Sequence, residues 1–141
     1  MTKQKRLLVL IGGALLLLLL IVTVTGMISS AGKSPKAIAQ KFLNYVVANQ
    51  PDEAYKLTND GFKFAQTASD WKFTVDGMHQ VFVQKPKEVS EKKTDNTLTQ
   101  VTFKELGSDN KTYTIVVNVR LVSDAKASTW QVEQFTSTAD Q

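Results

Sequence analysis

Few side chains in this chain could do chemistry. His79 is the single histidine among 141 residues, and Asp76 stands three residues before it. On a helix that spacing makes the two neighbours. A carboxylate beside an imidazole could then exchange protons as a general acid–base pair. The same spacing also suits a helix face in water, where neither side chain acts. A Ser-His-Asp triad or a histidine metal site has only this one imidazole to draw on. The chain has no cysteine. That removes structural disulfides, thiol nucleophiles, lipidated cysteines and thiolate metal sites together. Tyr45, Tyr55 and Tyr113 could turn hydroxyls into a pocket, or pack in a core with the hydroxyl bonded. Trp71 and Trp130 read as core or rim packing rather than a ligand cage. Arg120 reads as solvated, or as part of a protein interface, where arginine is enriched. No metal and no cofactor is expected.

The elements that must position these residues follow from periodicity. Ser34-Pro35 is an N-cap followed by proline at the first helical position. Ile38, Phe42, Tyr45 and Val46 recur at helical spacing, with Ala39 and Leu43 widening the stripe, so the first helix runs from about Pro35 to Ala48. Pro51 starts a second, with Asp52 and Glu53 in its first turn and Ala54, Tyr55 and Leu57 inward. Asn59-Asp60-Gly61 reads as a stop. Ser69 caps a third helix with Trp71, Val75, Met78 and Phe82 on one face.

After Pro86 the period changes to two. Lys87 to Thr94 is a weak polar strand, Thr94-Asp95-Asn96-Thr97 a hairpin turn, and Leu98 to Leu106 a second strand with Val101 and Phe103 on one face. Gly107-Ser108-Asp109-Asn110 is a turn. In the third strand Tyr113, Ile115, Val117, Val119 and Leu121 alternate with Thr112, Thr114, Val116, Asn118 and Arg120, and the first set faces the core. The last strand, Ser128 to Thr136, shares Trp130 and Val132 on one face. Three helices followed by a curved four-stranded antiparallel sheet make an α+β fold. The inward strand positions carry Val, Ile, Leu, Phe, Tyr and Trp, with no Asp or Glu clearly among them. That speaks against catalysis.

Ahead of this domain, Leu7 to Gly32 holds no charged side chain and includes six consecutive leucines, Leu15 to Leu20. About 20 apolar residues at ~1.5 Å rise cross a bilayer core. Lys3, Lys5 and Arg6 precede the run, and basic flanks stay cytoplasmic. The expected layout is a cytoplasmic tail at 1–6, a transmembrane anchor at 7–28, a linker at 29–33 and an extracytoplasmic domain at 34–138. Ser29 and Ala31 permit the alternative of a signal peptide cleaved near Ala31, although the apolar run exceeds a usual h-region. Three of the four net positive charges lie in the tail. The pI is therefore no argument for nucleic-acid binding. An outside domain without cysteine is commoner in bacteria.

Ala39-x-x-Phe42-Leu43, Ala54-Tyr55-x-Leu57-Thr58, Ser69-x-x-x-Phe73 and Trp130-x-Val132-x-x-Phe135, over residues 34 to 136, resemble the nuclear transport factor 2-like (cystatin-like) superfamily, in particular its small membrane-anchored bacterial members. The resemblance implies a half-open cone of sheet around the first helix. It implies either isomerase- or dehydratase-type activity, or a ligand-binding or assembly role. Isomerase-type relatives use a carboxylate base and a tyrosine or acid at an oxyanion.

The expected function is a non-enzymatic, membrane-tethered interaction module in an envelope or secretion-type assembly. A protein partner or self-association would use the outer sheet face at Leu98, Val116 and Arg120. The alternative is a cone that holds a small apolar ligand, lined by Tyr45, Tyr55, Met78 and Trp130, with or without catalysis. A deep cavity with a buried carboxylate would favour the second, and a filled cone the first.

Overall fold

The structure, a computed structural model, describes residues 34–141; the expected tail, anchor and linker lie outside the described residues. Among those described, no helix is long and apolar enough to cross a membrane. The Ser34 hydroxyl accepts the Ala37 N–H at 3.1 Å and opens helix α1 (Pro35–Val47), with Pro35 in its first turn as expected. Ile38, Ala39, Phe42, Leu43 and Val46 are buried along one stripe. Asn49 ends the helix at φ 54°, a left-handed conformation that asparagine tolerates. The Gln50 N–H then reaches the Tyr45 carbonyl at 2.8 Å and the Asn49 N–H the Val46 carbonyl at 3.1 Å, a Schellman closure.

Helix α2 (Pro51–Lys56) follows, with Asp52 and Glu53 in its first turn. Two expectations are corrected beyond it. Asn59-Asp60-Gly61 does not stop a helix but starts one, α3 (Asp60–Ala65): the Asn59 side chain accepts the Phe62 N–H at 3.0 Å, and Phe62 is buried. Asparagine caps a helix as well as it ends one, and a buried aromatic in the first turn decides between the two. The helix expected from Ser69 is α4 (Ala68–Val81), capped two residues earlier by Thr67. The Thr67 hydroxyl accepts the Asp70 N–H and donates to the Asp70 carboxylate at 2.6 Å, a reciprocal bond that needs their three-residue spacing. The described domain therefore has four helices rather than three.

The strands β1 (Lys87–Lys93), β2 (Leu98–Leu106), β3 (Thr112–Ser123) and β4 (Ser128–Ala139) form an antiparallel meander in chain order. β4 continues three residues past the expected end because Ser137, Thr138 and Ala139 still pair with Ile115, Thr114 and Tyr113. A register shift at Asn118/Val119 leaves Glu133 as an extra residue in β4. It returns Phe135 to the helix side, opposite Val117. Val101, Phe103, Ile115, Val117, Val119 and Val132 form the sheet's contribution to the core, buried against the helices.

The interior is closed by aromatic rings. Phe42 stacks on Trp71 with centroids 5.4 Å apart, Phe62 meets the Trp71 ring edge-on at 5.3 Å, and Phe135 lies 5.6 Å from Phe42. The Trp71 indole N–H donates to the Pro51 carbonyl at 3.1 Å, so its one polar atom is satisfied. The 107–110 turn caps α4 from the sheet side: Ser108 donates through its N–H to the Val81 carbonyl and through its hydroxyl to the Gln80 carbonyl. A Cβ at Gly107 would come within 2.8 Å of the Val81 side chain and 2.9 Å of the Tyr113 ring, so this contact requires glycine.

Candidate functional site

Asp76 and His79 both lie on α4, but they do not form a pair. His79 is half-buried, and its Nδ1 donates to the Val47 carbonyl at 2.8 Å, one of the open carbonyls at the end of α1. A carbonyl can only accept, so this bond places the ring proton on Nδ1. The expectation of two side chains in water is corrected for His79: a long-range contact with α1 covers it. Asp76 is exposed and borders a surface depression with Lys72 and Phe73.

The Tyr55 hydroxyl donates to the Gln66 carbonyl at 3.0 Å, tying α2 to the segment between α3 and α4. The Tyr113 hydroxyl donates to the Asp109 carboxylate at 2.5 Å, which holds that carboxyl below its usual range. Tyr45 and Trp130 pack half-buried against the core. A cleft of about 380 Å³ opens between α4 and the end of the sheet, floored by Met78, Val81, Phe82 and Phe135 and rimmed by Thr74 and Ser137. Of the four residues expected to line a pocket, Met78 borders this cleft; Tyr45, Tyr55 and Trp130 do not.

One inward position contradicts the sequence reading. Glu105 continues the Thr99, Val101, Phe103 alternation of β2 and is 5% exposed. Its Oε1 accepts the Gln84 N–H at 3.1 Å, and its buried Oε2 has no partner. Burial raises its carboxyl above the ordinary value, and the Gln84 N–H offsets part of that rise. The signal was present in the sequence, since Glu105 stands two residues after Phe103. An end-of-strand carboxylate reads as solvated until the segment after α4 is seen to fold over it. Glu105 borders a small hollow with Gln84, Lys85, Lys87 and Lys104. It does not itself line the cleft beside Met78, but its cross-strand partner Tyr113 does. Among the described residues no group of three or more His, Asp or Glu side chains is placed to hold a metal ion.

Leu98, Val116 and Arg120 share the sheet face turned away from the helices. Leu98 pairs directly with Arg120, and Val116 stands between Thr102 and Thr136. Arg120 makes a forked pair with Glu133, at 2.5 Å from Nε and 2.9 Å from Nη2, and its Nη1 donates to the Thr97 hydroxyl at 3.1 Å. Beside them a row of amides crosses three strands: Gln100 Nε2 donates to Asn118 Oδ1 at 3.3 Å, and Asn118 Nδ2 donates to Gln134 Oε1 at 3.0 Å. The face is polar, largely uncharged at its centre and internally hydrogen-bonded. No protein-family model, no curated protein and no solved structure matches the chain.

Proposed function

We propose that this chain is a membrane-anchored, extracytoplasmic, non-enzymatic interaction module on a nuclear transport factor 2-like domain, serving an envelope or secretion-type assembly. The observation that carries this reading is the filled interior. The space between α1 and the sheet, where a cone would hold a ligand, is taken up by Phe42 and Trp71, in ring contact with each other and each with Phe62 and Phe135. The uncharged run from Leu7 to Gly32 behind three basic residues supports the anchor and its direction. The helix-free sheet face with Leu98, Val116 and Arg120 is the contact surface in this reading. Its side chains already bond one another, so little rotamer freedom is lost on contact.

A photo-crosslinking residue placed at Thr136 on that face, in the full chain in its own membrane, should give discrete protein adducts. Val116→Lys should reduce them at unchanged expression. Adducts from the helix side at Lys41, with none from Thr136, would overturn the reading.

The alternative, a small apolar ligand, is supported by the cleft beside Met78. A Cβ at Gly77 would meet nothing within 4 Å there, so the cleft wall is open at that point. Protection of Met78 from oxidation by an extracted apolar compound, lost in Gly77→Phe, would favour it.

A further inference from the structure

A four-stranded meander has two free edges, and this chain treats them differently. β1 is self-protecting. Its sequence Lys-Glu-Val-Ser-Glu-Lys-Lys has five charged residues out of seven, its register breaks between Glu88 and Ser90, and Glu88 is held by Lys36 at 2.8 Å. Charges and bulges are the devices that keep an edge from pairing with another chain.

β4 has neither device over its second half. The edge is covered at Val132, which bonds Leu57 and Asn59 at 2.8 and 2.9 Å, and the chain leads from there into α3, which packs beside β4. Beyond the extra residue Glu133, the run Gln134-Phe135-Thr136-Ser137-Thr138-Ala139 has no charge, no proline and no glycine, and Thr136, Ser137 and Thr138 are exposed. The Asp140 N–H bonds to the Thr112 carbonyl. Antiparallel bonding alternates, so the N–H and C=O of Ala139, Ser137 and Phe135 point away from β3 toward the open edge.

We infer that a second copy of this chain pairs here, β4 antiparallel to β4, about a two-fold axis at Ser137. In that register Ser137 faces the partner's Ser137 and Phe135 faces the partner's Ala139. The outward groups then exchange about six backbone hydrogen bonds. A two-fold brings the residue at its axis against its own copy, so a charge there meets its like. The β4 run is free of charge, whereas β1 against β1 would bring together five charged side chains from each copy. The edge is short and makes a modest interface. Under the proposed function both copies are anchored in one membrane, which raises their effective concentration; the pairing itself rests on the edge and not on that reading or on the outer face.

The chain has no cysteine, so Ser137→Cys in the purified full chain carries one thiol. At the axis the two Cα atoms stand about 5.5 Å apart, within disulfide reach. Mild oxidation should link Ser137→Cys into dimers with a yield about tenfold above Ser90→Cys on the β1 edge. Ser137→Pro removes an outward N–H, and Ser137→Lys sets like charges at the axis. Either variant should convert the chain from dimer to monomer in sedimentation without lowering its melting temperature by more than a few degrees. Equal crosslinking at positions 90 and 137, a monomeric parent chain, or a dimer that survives Ser137→Lys would overturn the inference. Loss of the Thr136 adducts with the Ser137→Cys dimer intact would count against the proposed function alone.

Discussion

At the scale of single residues, Glu105 is an electrostatic liability among the described residues. It is buried with one oxygen unpartnered, and burial raises its carboxyl above the ordinary value. The folded chain therefore holds that proton more tightly than the unfolded chain. Stability is lost as pH rises from the ordinary carboxyl value through the raised one, and below both values the penalty is absent. Glu105→Gln keeps an acceptor for the Gln84 N–H and removes the charge. It should raise stability at pH 7 by about 1 kcal/mol, a few degrees in melting temperature. The gap from the parent should close by about pH 4. A gap that does not change with pH would show that folding leaves the Glu105 carboxyl unshifted.

At the scale of elements, two positions compete to start α4, and two residues compete for the core side of β3. Thr67→Ala should cost about 1 kcal/mol, because it removes the oxygen that accepts the Asp70 N–H. Ser69→Ala, one residue into the helix and exposed, should stay within about 0.5 kcal/mol. Thermal unfolding of the two variants separates the caps directly. In β3, Val117 is fully buried and Asn118 bonds across the outer face to Gln100 and Gln134. Val117→Asp should cost several kcal/mol, since no partner awaits the charge. Asn118→Asp loses one amide donor to water and should cost far less. Equal melting shifts would mean that the strand presents its other face to the helices.

At the scale of the whole molecule the open question is where the domain works. The proposed topology puts residues 34–141 outside the membrane and the basic N-terminus within. Protease added to intact cells should remove the domain and leave a short N-terminal fragment. A domain that stays protected, or a mature chain that begins near Gly32, would defeat the anchored arrangement.

The α+β class, the four antiparallel strands, the β2 limits at Leu98 and Leu106 and the inward places of Ile115, Val117 and Val119 in β3 were legible in the sequence. So were the Ser34 cap and the stripe from Ile38 to Val46. These are local properties: a period of two or 3.6, a cap and a turn each depend on residues within a few positions of one another. The tertiary structure decided what depends on distant neighbours. Whether Asn59 stops a helix or starts one turned on a burial site for Phe62 among Phe42, Tyr55 and Trp71. Whether His79 meets water turned on the end of α1 lying beside it, 32 positions away. Glu105 is a buried carboxylate bonded to the Gln84 N–H, 21 positions away. Thr136 to Thr138 of β4 stay exposed because the segment at Leu57 to Asn59 bonds the edge only at Val132. Burial and edge exposure are set by what the rest of the chain brings alongside, and no local period encodes that.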